Sequence, residues 1–164
     1  MIPHVLKNWN CFINGVGYAG LCDEAELPEI ALKMEEHRAG GMDGAFEIDM
    51  GQEVMSSKLT FATYPPEVLA ALARGVRIQL RGVLKRDTDN SVIPVIVEIG
   101  GRPKKWTPGS WKAGDKATSE HEIAVDYFRW NQAGVDLMEV DVVNMKRVIG
   151  GVDQLADERA ILSI

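Results

Sequence analysis

The chain has 164 residues, of which 46% are hydrophobic and 26% are charged, a composition typical of a globular domain with a sizeable core. Its formal net charge of −6 disfavours tight binding to nucleic acid, which requires clustered Lys and Arg. No apolar run approaches the roughly 20 residues that span a bilayer, and the N-terminus has no apolar stretch typical of a signal peptide. We therefore expect a single domain over residues 1–164 with no membrane partner.

The first part of the chain has the pattern of short strands joined by turns. Residues 9–13 are predicted as a strand that ends at Asn14-Gly15, a strong hairpin signal, and residues 18–21 are predicted to return from it. Apolar residues alternate again from Ile30 to Met34, and residues 55–63 continue the same pattern. Each of these segments is therefore predicted as a strand.

The second part of the chain adds two helices and four strands. A helix is predicted over residues 65–74, strands over residues 77–84, 92–99, 122–130 and 136–145, and a C-terminal helix over residues 153–162 with Asp153 as its N-cap. Residues 100–118 are rich in Gly, Pro, Lys and Trp and are predicted as a long polar loop. Trp106 and Trp111 in that loop either pack locally or contact a partner protein.

Seven or eight short strands with two short helices predict a mainly β fold, either a sandwich or a barrel with the helices flanking it. Such a fold has sheet edges with unpaired backbone groups. One way to satisfy them is a ring in which copies of the chain pair edge to edge.

The segment from Met34 to Met50 is the most informative part of the sequence. It is too long for a tight turn, and three glycines disfavour a helix, namely Gly40, Gly41 and Gly44. Apolar residues then follow at mostly two-residue spacing, namely Met42, Phe46, Ile48 and Met50. Excursions of this length are usually functional, and apolar side chains on one require a partner surface. We expect that partner to be another protein molecule.

The sequence predicts no catalytic, cofactor-binding or metal-binding residues. It contains no GxSxG, P-loop or HExxH motif. The histidines, His4, His37 and His121, do not lie at ligand spacing from Cys11 or Cys22, and the sequence assigns no role to the two cysteines.

Glu139 and Asp141 alternate on a predicted strand, so both carboxylates lie on one face. A pair of carboxylates on one face is compatible with a glycosidase-like acid pair. A solvated strand face is the favoured interpretation.

Several segments together resemble a known family. The strings EHRAGGMDG with IDMG behind it, PGSWKAGDKA, DYFR, EVDVVN and GGVDQL occur in this order and at these separations in the chain. In the order of these strings and in their separations, the chain resembles the major tail tube proteins. These are the inner tube subunits of contractile-tailed phages and of R-type phage-tail-like bacteriocins. The resemblance is strongest over residues 33–51 and 126–155.

The resemblance implies hexameric rings whose sheets join into one continuous β-barrel, and a stack of rings that forms a hollow conduit for genome delivery. It implies that the loop over residues 35–54 reaches the neighbouring ring, and we expect this loop to be ordered only in the stack. The predicted contacts between subunits are Arg38, Gly40, Gly41, Met42, Phe46 and Ile48. Arg38 is expected to hold the base of the loop through a carboxylate of a neighbouring subunit.

The implied partners are further copies of the chain, the tail sheath protein, the tape measure protein, and the baseplate and tail terminator proteins. The implied location is the virion tail, assembled in the host cytoplasm, with DNA passing through the lumen without specific binding. Glu139 and Asp141 are candidates to face that lumen, where acidic side chains would repel phosphate. The open alternatives are a tube subunit similar to that of type VI secretion systems and a β-sandwich binding module without catalytic activity.

Overall fold

The computed structural model describes residues 2–164. In this part of the chain, twelve strands and two short helices alternate with turns. The strands are β1 (Val5–Ile13), β2 (Val16–Gly17), β3 (Cys22–Glu26), β4 (Leu32–His37), β5 (Phe46–Gln52), β6 (Met55–Phe61), β7 (Val76–Lys85), β8 (Val92–Thr107), β9 (Ser119–Gln132), β10 (Val135–Asp141), β11 (Lys146–Ile149) and β12 (Val152–Asp153), and the helices are α1 (Pro66–Ala70) and α2 (Ala156–Leu162).

Ten of these strands form one antiparallel sheet that folds over the core. Eight of them follow one another in the order β12-β11-β10-β9-β8-β7-β1-β2. We call these eight strands the large sheet. The first half of β9 also pairs with β6, and β6 pairs with β3, so these strands form a second layer. The mainly β sandwich predicted from the sequence is therefore confirmed.

The long strands β8 and β9 bend between the two layers at a glycine pair. Their register shifts between Gly100 and Gly101. A Cβ atom on Gly101 would lie 2.2 Å from the carbonyl oxygen of Ala124. Only glycine allows β8 to approach the backbone of β9 this closely, and the bend depends on that approach.

The core lies between the layers and follows from the alternation of side chains along each strand. In β7, Val76, Ile78 and Leu80 are buried, whereas the residues between them point away from the core. The largest fully buried side chains include Ile13, Met55, Leu59, Phe61, Ile78, Ile99 and Ile123. Burial of these side chains is the main favourable contribution to the fold.

The structure changes the bounds of several predicted elements. Strand β8 continues to Thr107 because its second half pairs with β9, so only residues 108–118 of the predicted polar loop lie outside a strand. The last strand, predicted over residues 136–145, ends at Asp141, because residues 142–145 form a turn with Met145 at φ 52°. Strand β11 follows that turn and was not predicted. Helix α1 covers only Pro66–Ala70.

The C-terminal helix begins later than predicted, and Asp153 is not its N-cap. Asp153 lies in β12, and Leu155 occupies the cap position. The Asp153 carboxylate nevertheless accepts the Leu155 N–H at 3.1 Å and the Arg159 guanidinium at 2.5 Å. It therefore anchors the first turn of α2 from the preceding strand.

The segment predicted as an extended loop over residues 35–54 is largely a β-hairpin. Strands β4 and β5 pair with each other in a separate two-stranded sheet. A tip at residues 38–45 joins them, so the three glycines define a turn region between two strands.

Candidate assembly surfaces

The β4–β5 hairpin exposes one apolar face. Phe46, Ile48 and Met50 of β5 are 50%, 38% and 53% exposed. They alternate along the strand, so they point to the same side of the hairpin. Within the chain, Phe46 makes an edge-to-face contact with His37, with ring centroids 5.8 Å apart. Apolar side chains that are this exposed and arranged in a row indicate a protein contact.

The opposite face of the hairpin is acidic. Glu36 and Glu47 lie directly across from each other in the β4–β5 register. Neither has a salt-bridge partner among residues 2–164. Like charges directly opposite on two strands are destabilising. This face therefore gains from a neighbour that supplies cations.

The hairpin tip has glycine where the backbone requires it. Gly41 has φ +87°, a conformation that side chains rarely allow. The tip is closed by Met42, whose N–H donates to the Ala39 carbonyl at 3.3 Å and whose Sδ accepts the Ala39 N–H at 3.3 Å. Arg38 is exposed at the end of β4 that adjoins this tip.

The base of the hairpin is held by an ion pair within the chain. The buried guanidinium of Arg147 in β11 donates to Asp49 in β5 at 2.7 Å and to Gln154 at 2.9 Å. The Gly51 N–H donates to the same Asp49 carboxylate at 2.8 Å. The Gly51 hydrogen bond, followed by the Arg147 contact, holds the pKa of Asp49 below its ordinary value.

This arrangement corrects the position expected for Arg38. The base is fixed by Arg147, and Arg38 lies at the other end of the hairpin, close to the tip. The sequence does not predict this role of Arg147, because Arg147 is 98 residues from Asp49 and lies in a strand without a distinctive motif. No local pattern marks such a long-range pair. A contact between Arg38 and a neighbouring subunit stays a prediction.

The outer side of the large sheet carries a second surface, which we call the polar face. Its side chains include Arg77, Gln79, Arg81, Glu98, Arg129, Asp136, Glu139, Asp141 and Lys146. They form contacts from strand to strand. Arg129 bonds Glu98 at 2.6 Å and lies 3.6 Å from Asp136. Four carboxylates and four basic side chains are interleaved on this face, so its charge is close to balanced.

Glu139 and Asp141 both lie on the polar face, and both are engaged in contacts. Glu139 accepts Lys146 Nζ at 3.2 Å and the Tyr127 hydroxyl at 3.4 Å. Asp141 accepts the Asn144 backbone N–H at 3.0 Å and thereby closes the β10–β11 turn. These contacts fit the interpretation of a solvated strand face.

The large sheet has an exposed edge along β1. Strand β2 pairs only with Phe12 and Ile13, so the first part of β1 has no strand beside it on that edge within residues 2–164. Val5 and Leu6 in this stretch are about half exposed. An open edge of this length is a template for pairing with another chain.

An aromatic cluster is formed by Tyr64, by Trp106 near the end of β8, and by Trp111 in the loop over residues 108–118. Trp106 contacts the Tyr64 ring edge-to-face, and the Trp111 indole N–H donates to the Tyr64 hydroxyl at 2.7 Å. Trp106 is partly covered, but the Trp111 ring is almost fully exposed. Local packing therefore accounts for Trp106 and leaves Trp111 as a side chain that a partner could cover.

The core contains one contact between a serine and a histidine. Ser119 Oγ donates to the Thr63 carbonyl at 2.7 Å and lies 3.2 Å from His121 Nε2. Because the hydroxyl has a single proton, we infer that it accepts the Nε2–H of a neutral His121. Both residues are buried, and burial lowers the pKa of His121 to about 4. The pair is closed to substrate and satisfies a buried hydroxyl.

Within residues 2–164, His, Cys, Asp and Glu side chains do not converge in groups of three or more that could hold a metal ion. In the same part of the chain, neither helix has the length and hydropathy needed to cross a bilayer.

Known proteins are similar in sequence to this chain over most of its length. The family described as phage tail tube protein FII matches residues 3–162. The tail tube protein of Escherichia phage P2 is 32% identical over 165 residues, covering 96% of each chain. The major tail tube protein of Serratia phage KSP20 is 24% identical over 146 residues, covering 87% of this chain and 85% of that protein.

A solved structure has a similar fold at low identity. A chain in the cryo-EM structure of the sheath–tube complex of an extracellular contractile injection system in its extended state superposes with a TM-score of 0.60. It is 14% identical, and the match covers 81% of this chain and 93% of the other.

Proposed function

Because the chain belongs to the phage tail tube protein FII family, we propose that it is the structural subunit of the inner tube of a contractile tail. The match over residues 3–162 carries this proposal. It favours a phage tail tube over the secretion-system alternative and over a binding module. The exposed hairpin and the open sheet edge supply the contacts that a polymer requires.

The first assembly step is a ring of six copies. The edge of β1 presents unpaired backbone groups, and the opposite end of the large sheet is formed by the short strands β11 and β12. Pairing between these ends of adjacent copies would satisfy the edges and join the sheets into one β-barrel. The open edge of β1 is the observation that supports this step.

The second step is stacking of rings through the hairpin. Its apolar face would be buried against the adjacent ring through Phe46 and Ile48, and the tip would supply Arg38, Gly40, Gly41 and Met42. Burial removes the exposed apolar area that the isolated chain carries on β5. Arg38, exposed beside the tip, is free to pair with a carboxylate of the adjacent ring.

The polar face would then line the lumen, including Glu139 and Asp141. A closed barrel made from the large sheet turns one side inward, and the other side of this sheet is already occupied by the core. Its four carboxylates offset its four basic side chains in number, and Arg129 and Lys146 are paired with them directly. Since phosphate binding depends on uncompensated Lys and Arg, DNA could pass without specific binding.

The outer side of the second layer would face the sheath. It carries two ion pairs, Lys58 with Glu120 at 3.1 Å and Lys104 with Glu122 at 3.0 Å. Charged, exposed side chains suit a contact that must release when a sheath contracts, because such pairs are individually weak. The family resemblance adds the tape measure, baseplate and terminator proteins as partners, and it implies assembly in the host cytoplasm before incorporation in the virion tail.

Negative-stain electron microscopy of the concentrated protein tests this function. The expected result is six-fold rings, or tubes built from stacked rings. Uniform monomers at every concentration, and also after coexpression with the sheath protein, would contradict a tube subunit.

A further inference from the structure

An open aromatic pocket lies between helix α1 and the loop over residues 108–118. Its volume is about 330 Å³, and its walls are almost entirely apolar. The residues that line it are Tyr64, Leu69, Trp106, Pro108, Gly109 and Trp111. Trp111 is 86% exposed, so the isolated chain leaves this indole ring uncovered. An exposed apolar site of this kind marks a contact with another molecule.

A chain of hydrogen bonds holds the pocket in shape. The Trp111 indole N–H donates to the Tyr64 hydroxyl at 2.7 Å, and that hydroxyl donates to the Pro108 carbonyl at 3.3 Å. The Trp106 ring packs edge-to-face on Tyr64, with ring centroids 6.5 Å apart. The exposed indole is therefore fixed before a partner arrives, which lowers the entropic cost of binding. Tryptophan is also enriched among the residues that dominate binding energies.

The stretch that carries both tryptophans and the β4–β5 hairpin have opposite charge. Residues 100–118 hold five cations and one carboxylate, whereas residues 32–52 hold five carboxylates and two cations. In the described part of the chain, Arg102 and Lys105 of β8 have no salt-bridge partner. On the hairpin, Glu35 lies directly across from Ile48 and so borders the apolar row of β5. Opposite charge steers the two surfaces toward each other and disfavours wrong partners.

The hairpin and the pocket lie at opposite ends of strand β6. Strand β5 ends at Gln52, shortly before β6 begins at Met55, and Tyr64 follows shortly after β6 ends at Phe61. The seven residues of β6 span roughly 20 Å at about 3.3 Å per residue. A contact between two different surfaces of the same chain is head to tail, so every copy added leaves a free hairpin at one end and a free pocket at the other. Such a contact repeats without closing, as a stack of rings requires.

We propose that the aromatic pocket receives the β4–β5 hairpin of a second copy, with Phe46 and Ile48 packed against Trp111. This docking site rests on the proposed tube function and adds the surface on which the hairpin of the adjacent ring lies. The apolar row of β5 and the exposed indole then cover each other, and Glu35 lies beside the cations of β8.

Trp111→Asp tests the pocket by pelleting of polymer over a concentration series, with circular dichroism as the check of folding. The critical concentration should rise by at least about 30-fold, as expected when a residue that dominates a contact is lost. Trp111→Ala should act in the same direction, and it serves as the second variant if aspartate disturbs the loop. Trp111→Phe is the matched control, because it keeps an aromatic ring and should retain growth.

A mixture of two blocked variants tests whether the hairpin and the pocket contact each other. Phe46→Asp keeps its pocket and Trp111→Asp keeps its hairpin, so one contact can form between them and no further growth is possible. Sedimentation of the mixture should show a species of twice the mass that neither variant forms alone. A mixture without this species would overturn the proposal.

The results separate this contact from the tube function itself. Wild-type tubes together with normal growth of Trp111→Asp and Trp111→Ala would overturn the pocket as the receptor and leave the tube function intact. Normal tubes of these variants that no longer bind the sheath protein would assign the pocket to the sheath and also overturn the proposal. A wild type that forms neither rings nor tubes would refute the tube function, and with it the contact.

Discussion

Replacing Phe46 by aspartate should block tube growth and leave the subunit folded. Phe46 lies on the exposed apolar face of the hairpin, where its ring makes an edge-to-face contact with the ring of His37. It contributes nothing to the core between the layers. A substitution at such a surface position changes the free energy of unfolding by about 0.5 kcal/mol or less.

The effect on assembly follows from the exposed area. Phe46 is 50% exposed, which corresponds to roughly 100 Å² of a side chain that can bury about 200 Å². At about 25 cal/mol per Å², burial in a contact between rings contributes about 2.5 kcal/mol. Loss of that contact alone weakens association about 60-fold per contact. An unpaired carboxylate in the same contact costs several kcal/mol more.

The assay is pelleting of polymer over a series of protein concentrations, with circular dichroism as the test of folding. The critical concentration for Phe46→Asp should rise at least about 100-fold, and Ile48→Asp should behave in the same way. Phe46→Leu is the matched control, because it keeps an apolar side chain and should retain growth. Normal polymerisation of both aspartate variants would refute the assignment of the hairpin as the stacking element.

Three further predictions concern the folded subunit. Arg147→Lys should lower the free energy of unfolding by roughly 1–3 kcal/mol, as measured by urea denaturation, because lysine cannot bond both Asp49 and Gln154 in the same geometry. An unchanged free energy of unfolding would count against the buried pair. His121 takes up a proton near pH 6.5 when unfolded but only near pH 4 when folded, so wild type should lose about 3 kcal/mol between pH 7 and pH 4, and His121→Gln should lose correspondingly less; equal losses by urea titration would contradict this. Gly101→Ala should cost more than about 2 kcal/mol or prevent folding, whereas Gly40→Ala, with open space around its Cβ, should melt like wild type.

The sequence predicted those elements whose pattern is local. The strand predicted over residues 77–84 matches β7, and Asn14-Gly15 marked the first turn, where both residues do have positive φ. The apolar spacing from Phe46 to Met50 predicted an unpartnered face. In each case the residues within a few positions determine the outcome.

The sequence could not predict features that depend on distant pairing. Strand β3 has the sequence CDEAE, which lacks a hydrophobic alternation, and it is a strand because it pairs with β6. Strand β8 continues through Gly100 and Gly101 because β9 pairs with it from Val95 to Thr107, although glycine and proline there predict a loop. The Arg147–Asp49 pair is of the same kind, since its partners are far apart in sequence.

The most direct test of the account is a cryo-EM map of the assembled protein. We predict six copies per ring, β1 paired with the adjacent copy, the polar face lining the lumen, and the β4–β5 hairpin with Phe46 buried against the next ring. Rings in which the hairpin remains exposed, or a lumen lined by the second layer, would contradict it.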